Sequence, residues 1–278
     1  MDTDALFVMG TSLDGGPVES AATLNAGVEV AATDLARGPW DPGALHGGPV
    51  SSLLALAVES QDPHAAFVVA RLTVELERVV PPHRRLTLSA QVLRPGRKVQ
   101  LVEALLSDEG KVLARARAMC IRRGDVRLPD AVLPGDPAPT SEGSYQPPDM
   151  TASYDGFHNA ANEFRFVEGS WADRGPVVVW VHLKYPLIAG LTMSPLQRVA
   201  AAADFGNGVS AVLPWENFTY INPDLTIHQL RPLVGEWVGM RVKSHVATNG
   251  VGFAESELFD SHGRVGRSVQ SLLVEQRD

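Results

Sequence analysis

Two stretches carry residues whose types and spacing could do chemistry. The first is Ser194-Pro195-Leu196-Gln197-Arg198-Val199, which runs on through four alanines to Asp204. At helical spacing Asp204 shares a face with Leu196, Ala200 and Ala203, the face expected to be buried. A buried carboxylate needs hydrogen-bond partners or a task, such as taking a proton from a water. The alternative is a helix-end cap, which the macrodipole disfavours for a negative charge at a C-terminus. The second stretch is His46-Gly47-Gly48 before Pro49. Glycines there let backbone N–H groups at a positive helix end approach a carbonyl, or serve only as a glycine-rich cap. A third, weaker feature is the basic turn Arg94-Pro95-Gly96-Arg97-Lys98, with Arg84-Arg85 near it in sequence.

Other chemistries find no support. The eight histidines are scattered without ligand spacing, so neither a metal nor a cofactor is expected. No serine sits in a nucleophile elbow. The single cysteine, Cys120, excludes an intramolecular disulfide and reads as a small core residue of a strand, in a reducing cytoplasm.

The elements that must position these groups follow from pattern. Ser194 is a favoured N-cap, Pro195 suits the first helical position, and Gly206-Asn207-Gly208 offers an exit, which predicts a helix over 195–205. A second helix is expected from Pro49 to about Ser60, after an irregular passage and a strand hairpin around Gly15-Gly16. Alternation at Val68, Ala70, Leu72, Val74 and Leu76, and at Leu86, Leu88, Ala90 and Val92, predicts strands. Further strands fall near 98–107 and 111–122, joined by a turn at Asp108-Glu109-Gly110.

The chain also repeats itself. Phe7, Val8, Gly10, Asp14, Gly16, Pro17 and Val18 recur as Phe166, Val167, Gly169, Asp173, Gly175, Pro176 and Val177, a difference of 166 − 7 = 159. At 225 − 72 = 153, Leu72-Thr73-Val74 meets Leu225-Thr226-Ile227, Arg78 meets Arg231, and Gly110 meets Gly263. Two copies of one domain are expected, 1–123 and 161–278, separated by a proline-rich linker over 124–160. In the 153 register Asp204 meets Ser51 and Gln270 meets Arg117, so one catalytic centre per chain is expected. One apolar helix covered by a run of long antiparallel strands is the organisation of a hotdog domain. The predicted fold class is therefore α+β, a double hotdog: two tandem domains with joined antiparallel sheets, each wrapping a central helix.

A content of 45% hydrophobic and 20% charged residues suits a packed globular protein. The net charge of −8 argues against a nucleic-acid partner. The acidic start lacks the pattern of a signal peptide and no apolar run approaches a membrane span, so a cytoplasmic protein without a membrane partner is expected.

Three passages, Leu196 to Gly208, Phe218 to Pro232 and Gly263 to Gln276, resemble the acyl-CoA thioesterase family with a tandem hotdog fold, bacterial acyl-CoA thioesterase II and its peroxisomal relatives. The resemblance implies an acyl-CoA substrate and a water held by an aspartate, a hydroxyl residue and a glutamine. These positions fall on Asp204, Asn222 and Gln270; the asparagine departs from the family's threonine or serine, but an amide can also hold a water. Gln270 shares strand parity with Leu272 and Val274, and Pro223 suggests a bulge beside Asn222. His46-Gly47-Gly48 resembles the His-Gly-Gly opening of single-domain hotdog thioesterases, which implies donors for an oxyanion. For coenzyme A phosphates the candidates are Arg94, Arg97 and Lys98. Asp41 and His46 are faintly similar to the acid–base pair of hotdog enoyl-CoA hydratases, which keeps that activity as an alternative, and a non-catalytic acyl-CoA-binding protein as another. Exposed sheet edges suggest a homodimer or higher homo-oligomer.

Overall fold

The computed structural model describes residues 4–12, 26–62, 64–129, 137–139, 143–146 and 154–277. The hairpin expected at Gly15-Gly16 lies outside them, as do Pro134, Pro147 and Pro148 of the proline-rich stretch.

The first half consists of β1 (Phe7–Ser12), β2 (Val28–Ala32), α1 (Gly47–Glu59), β3 (Phe67–Glu75), β4 (Arg85–Arg94), β5 (Val99–Asp108) and β6 (Lys111–Arg122). After β7 (Ser144–Tyr145) the second half repeats it as β8 (Asn162–Glu168), β9 (Val177–Leu183), α2 (Pro195–Ala203), a short helix α3 (Gly206–Val209), β10 (Phe218–Ile221), β11 (Asp224–Gln229), β12 (Trp237–Val246), β13 (Val251–Asp260) and β14 (Gly263–Gln276). The four strands predicted between 68 and 122 are each present within a residue or two. The turn between β5 and β6 has Glu109 at φ 48° and Gly110 at φ 81°, the left-handed pair that a two-residue hairpin requires.

All strands join one antiparallel sheet in the order β1-β2-β4-β5-β6-β3-β11-β14-β13-β12-β9-β8-β7, with β10 also on β14. The order reads the same from either end of the β3–β11 seam, so the halves are related by a pseudo-twofold. Its axis passes between Thr73 and Thr226, which face each other across the seam with their hydroxyls 3.2 Å apart. Their difference, 226 − 73 = 153, is the repeat length read from the sequence. Beyond the seam the register slips by one: Thr73 pairs with Arg117 and Thr226 with Val269, and 269 − 117 = 152. The counterpart of Gln270 is therefore Ala118, not Arg117.

Helices α1 and α2 pack antiparallel against each other inside this double sheet, with Leu53, Leu54, Val199 and Ala200 fully buried. Both helices are apolar on nearly every side because sheet and partner helix enclose them. Truncating Leu53 or Leu54 to alanine would cost about 2–5 kcal/mol through lost burial and the cavity left behind. The helices cross closely: a Cβ on Gly48 would stand 2.5 Å from the Ala201 carbonyl oxygen, which only glycine permits.

Candidate active site

Helix α2 begins as its sequence predicts. Ser194 Oγ accepts from Gln197 N–H, and the Gln197 side chain closes a capping box on Ser194 N–H. The helix ends at Ala203, with Asp204 as C-cap and α3 following where a simple exit was expected. Antiparallel packing brings this C-terminus to the start of α1. Asp204 is 3% exposed, and a Cβ on Gly47 would lie 2.7 and 2.8 Å from its two carboxylate oxygens. A negative charge that the dipole of α2 disfavours is thus placed against the positive end of α1.

Three side chains hold the carboxylate. Asn222 Nδ2 donates to Oδ1 at 2.7 Å and Gln270 Nε2 to the same oxygen at 3.3 Å. His46 Nδ1 lies 2.8 Å from Oδ2 and 3.1 Å from the Gly48 nitrogen. One ring nitrogen cannot accept from Gly48 and donate to a carboxylate at once. The shorter, charge-assisted contact assigns the proton to Nδ1, which leaves the Gly48 N–H without that acceptor.

Local sequence explains how the amides arrive. β10 and β11 are one strand broken at Asn222-Pro223. Ile221 pairs with Leu273 and Thr226 with Val269, so five steps on one strand oppose four on the other. Proline cannot donate to the ladder, and the Ser271 N–H goes instead to the Asp224 carboxylate at 2.7 Å. The extra residue turns Asn222 towards Asp204, as bulges beside functional sites do. Gln270, opposite the break, donates to the Asp204 carbonyl at 3.1 Å and accepts from Asn207 N–H at 3.2 Å. Gly206 is required here: a Cβ on it would stand 2.5 Å from Gln270 Oε1.

A cavity of about 100 Å³ opens onto His46, Gly47, Leu76, Asp204, Asn207 and Asn222, with Trp40 and Asp41 at its rim. Gln270 fixes Asp204 from behind and does not line this space. Asp41 caps Gly43 N–H at 2.7 Å, while His46 is turned to Asp204, so the Asp41–His46 pairing of the hydratase alternative is not formed.

Arg94, Arg97 and Lys98 are not brought to this cavity. They lie at the β4–β5 turn with Arg122, which pairs with Phe67 at the start of β3, whereas the Asp204 cavity lies past the end of β3 at Leu76. At about 3.3 Å per residue, the nine steps from Phe67 to Leu76 separate them by roughly 30 Å.

Sequence reasoning missed Phe157 and His158, which it placed in the linker. Phe157 stacks on Phe205 at 5.2 Å, lies 5.0 Å from the His46 ring, and is fixed by its N–H donating to the Arg37 carbonyl. His158 is 1% exposed, and among the described residues neither ring nitrogen has a partner. Burial, with the neighbouring His46, pushes its pKa down to about 4, so it sits neutral behind the site. The signal was slight: aromatic residues inside a proline-rich stretch.

Residues 129–274 match the acyl-CoA thioesterase C-terminal domain and residues 36–121 the acyl-CoA thioesterase N-terminal domain. No curated protein sequence matches the chain. Among solved structures it is similar to a putative thioesterase II from Thermobifida fusca YX, with 18% identity, a TM-score of 0.69, and 90% of this chain and 92% of that one covered. It is similar also to a conserved protein of unknown function with a hot dog fold from Alicyclobacillus acidocaldarius, with 15% identity, a TM-score of 0.68, and 91% and 93% covered. A third is acyl-CoA thioesterase II TesB2 from Mycobacterium marinum, with 16% identity, a TM-score of 0.60, and 84% and 91% covered. At such identities the structural likeness speaks for the fold, and the two domain matches carry the family. With both halves of the duplicated sheet matched in order, the chain belongs to the acyl-CoA thioesterase family and is a double hotdog thioester hydrolase.

Proposed function

We propose that the protein hydrolyses acyl-CoA to a free acid and coenzyme A by direct attack of water, with Asp204 as general base. The observation that carries this reading is a buried carboxylate held by side chains from both halves, His46 on one side and Asn222 and Gln270 on the other, at the mouth of a small cavity. The thioester carbonyl would lie at the start of α1, where the Gly47 and Gly48 N–H groups and the helix dipole meet developing negative charge. A water in the cavity would give its proton to Asp204 as its oxygen bonds to the carbonyl carbon. Collapse of the tetrahedral intermediate breaks the C–S bond, and the departing thiolate takes that proton back, so atoms and charge balance.

In this arrangement Asn222 orients the base and the water, Gln270 positions Asp204, and His46 fixes the second carboxylate oxygen. Because one Asp204 exists per chain and Ala118 stands where a second Gln270 would, one catalytic centre serves both repeats, read as 1–123 and 161–278 about the 124–160 stretch. No helix of the described residues is long and apolar enough to cross a membrane, and Cys120 is a buried free thiol.

The test is thiol release from a series of straight-chain acyl-CoAs, run beside hydration of crotonyl-CoA. Hydrolysis without hydration is expected. Hydration that disappears in His46→Ala, with no thiol released, would replace this reading with the hydratase one.

A further inference from the structure

A second cavity lined by carboxyl groups lies apart from the one at Asp204. A space of about 170 Å³ opens between the end of α1 and the start of α2, and it is the pseudo-twofold mate of the catalytic cavity. At a difference of 153, Ile221, Asn222 and the partner residue Leu76 correspond to Val68, Val69 and Gln229, and all three counterparts line it. Counting from the helix caps, His46 to Ser194, the difference is 148, so Gly47 corresponds to Pro195 and Asn207 to Glu59, which line it too.

The chemistry has been removed from this second place. Asp204 corresponds to Leu56, Asn222 to Val69 and Gln270 to Ala118. Two carboxyls line it, and both are engaged: Glu59 accepts from Ser194 Oγ at 2.6 Å and from Gln197 Nε2 at 3.0 Å, which closes the cap of α2, and Asp62 accepts from Phe67 N–H at 2.6 Å. What remains is a mainly apolar space walled by Val58, Phe67, Val68, Val69, Val102 and Leu196. An engineered apolar cavity of about 150 Å³ accommodates benzene, so this volume suits an acyl segment of about six carbons.

Its rim is basic. Gln100 lines the cavity and donates to Gly96 of the β4–β5 turn, and Arg122 N–H donates to the Lys98 carbonyl. Arg123 of the cavity wall is next in sequence to Arg122, which shares a second hollow with Arg94, Arg97 and Lys98. Among the described residues these four cations make no ion pair. Four unpaired cations on a chain of net charge −8 concentrate positive potential at one spot.

We infer that the chain carries a second, non-catalytic acyl-CoA site, with the acyl chain in the cavity between α1 and α2 and the phosphates on Arg94, Arg97, Lys98 and Arg122. The choice of acyl-CoA rests on the proposed activity; the site itself does not.

Cys120 lines the cavity and is the only cysteine in the chain, so it reports occupancy. Burial pushes its thiol up to about 11, and labelling is therefore followed at pH 9 with the small uncharged reagent methyl methanethiosulfonate. Saturating decyl-CoA, the thioether that cannot be hydrolysed, is expected to slow labelling at least 10-fold, and coenzyme A alone to leave it within 2-fold. In an Arg97→Glu/Arg122→Glu variant, whose substitutions are both at exposed positions, the protection is lost while kcat/KM for decanoyl-CoA stays within 2-fold. Absence of protection, equal protection in the charge variant, or protection by decanoate but not by the thioether each overturns the inference. Turnover and labelling are separate readouts, so failure here leaves the assignment of Asp204 standing, and loss of that assignment leaves the labelling result interpretable.

Discussion

Replacing Gly47 with alanine adds one methyl group where the structure has room for none. Its Cβ would stand 2.7 and 2.8 Å from the two oxygens of Asp204 and 2.9 Å from Leu76 Cδ1. Relaxation to an ordinary contact needs about 0.5 Å, and backbone on the α1 side cannot supply it without disturbing the helix crossing, so the carboxylate moves. Misplacing a catalytic group by about 1 Å costs about 100-fold, and half that displacement should lower kcat by about 10-fold or somewhat more. Overpacking at the rim of a cavity that can take up some of the strain should cost about 1 kcal/mol of stability. Gly48→Ala is the informative comparison, because its methyl group meets the Ala201 carbonyl at 2.5 Å and Phe157 at 2.7 Å, which forces the helices apart. Steady-state thiol release and thermal melting on both variants should separate them: Gly47→Ala loses turnover with a small change in Tm, Gly48→Ala loses Tm first. Wild-type kcat in Gly47→Ala would refute the idea that Asp204 works from the position seen here.

The other predictions concern its supports. Asn222→Thr restores the family's hydroxyl and should keep kcat within about 10-fold, whereas Asn222→Leu, which leaves Oδ1 without its shortest donor, should cost about 100-fold in the same assay. His158 binds a proton less readily folded than unfolded, so the unfolded state holds more protons between pH 6.5 and about 4. Stability should fall as the pH drops through that window, by up to about 3 kcal/mol, and urea titrations of His158→Phe should show a flatter slope there. Asp260 is fully buried and accepts two hydrogen bonds from Arg231 besides those from Val234 and His262 N–H; Arg231→Met removes its counter-charge and should cost about 3 kcal/mol with kcat unchanged, read by urea titration and thiol release.

Much of the fold was legible because it is written in local terms. Alternation marks β3 and β4, Ser194-Pro195 starts α2, and the repeat at 153 places Thr73 and Thr226 on the pseudo-twofold. What escaped depends on packing between segments distant in sequence. The slip to 152 arises between the seam strands and their neighbours, and no single-strand pattern reveals it. The partnership of His46 with Asp204 needs α1 and α2 to run antiparallel, and the turn of Asn222 towards Asp204 needs the extra residue at Pro223. Arg94, Arg97 and Lys98 read as a basic turn in sequence, but strand direction alone decides which end of the sheet they occupy. Phe157 and His158 sit in a stretch whose prolines suggested a surface linker, because composition reports average polarity and not where two residues are anchored.

In the proposed mechanism Asp204 is the base of a site shared between the two halves. Asp204→Asn keeps the size and most hydrogen bonds of the side chain while removing its capacity to take a proton, so binding and turnover should part. The kcat should fall by about two to four orders of magnitude on a good acyl-CoA substrate, with the Kd of decyl-CoA at the catalytic site within 2-fold of wild type. Wild-type turnover in Asp204→Asn would contradict it.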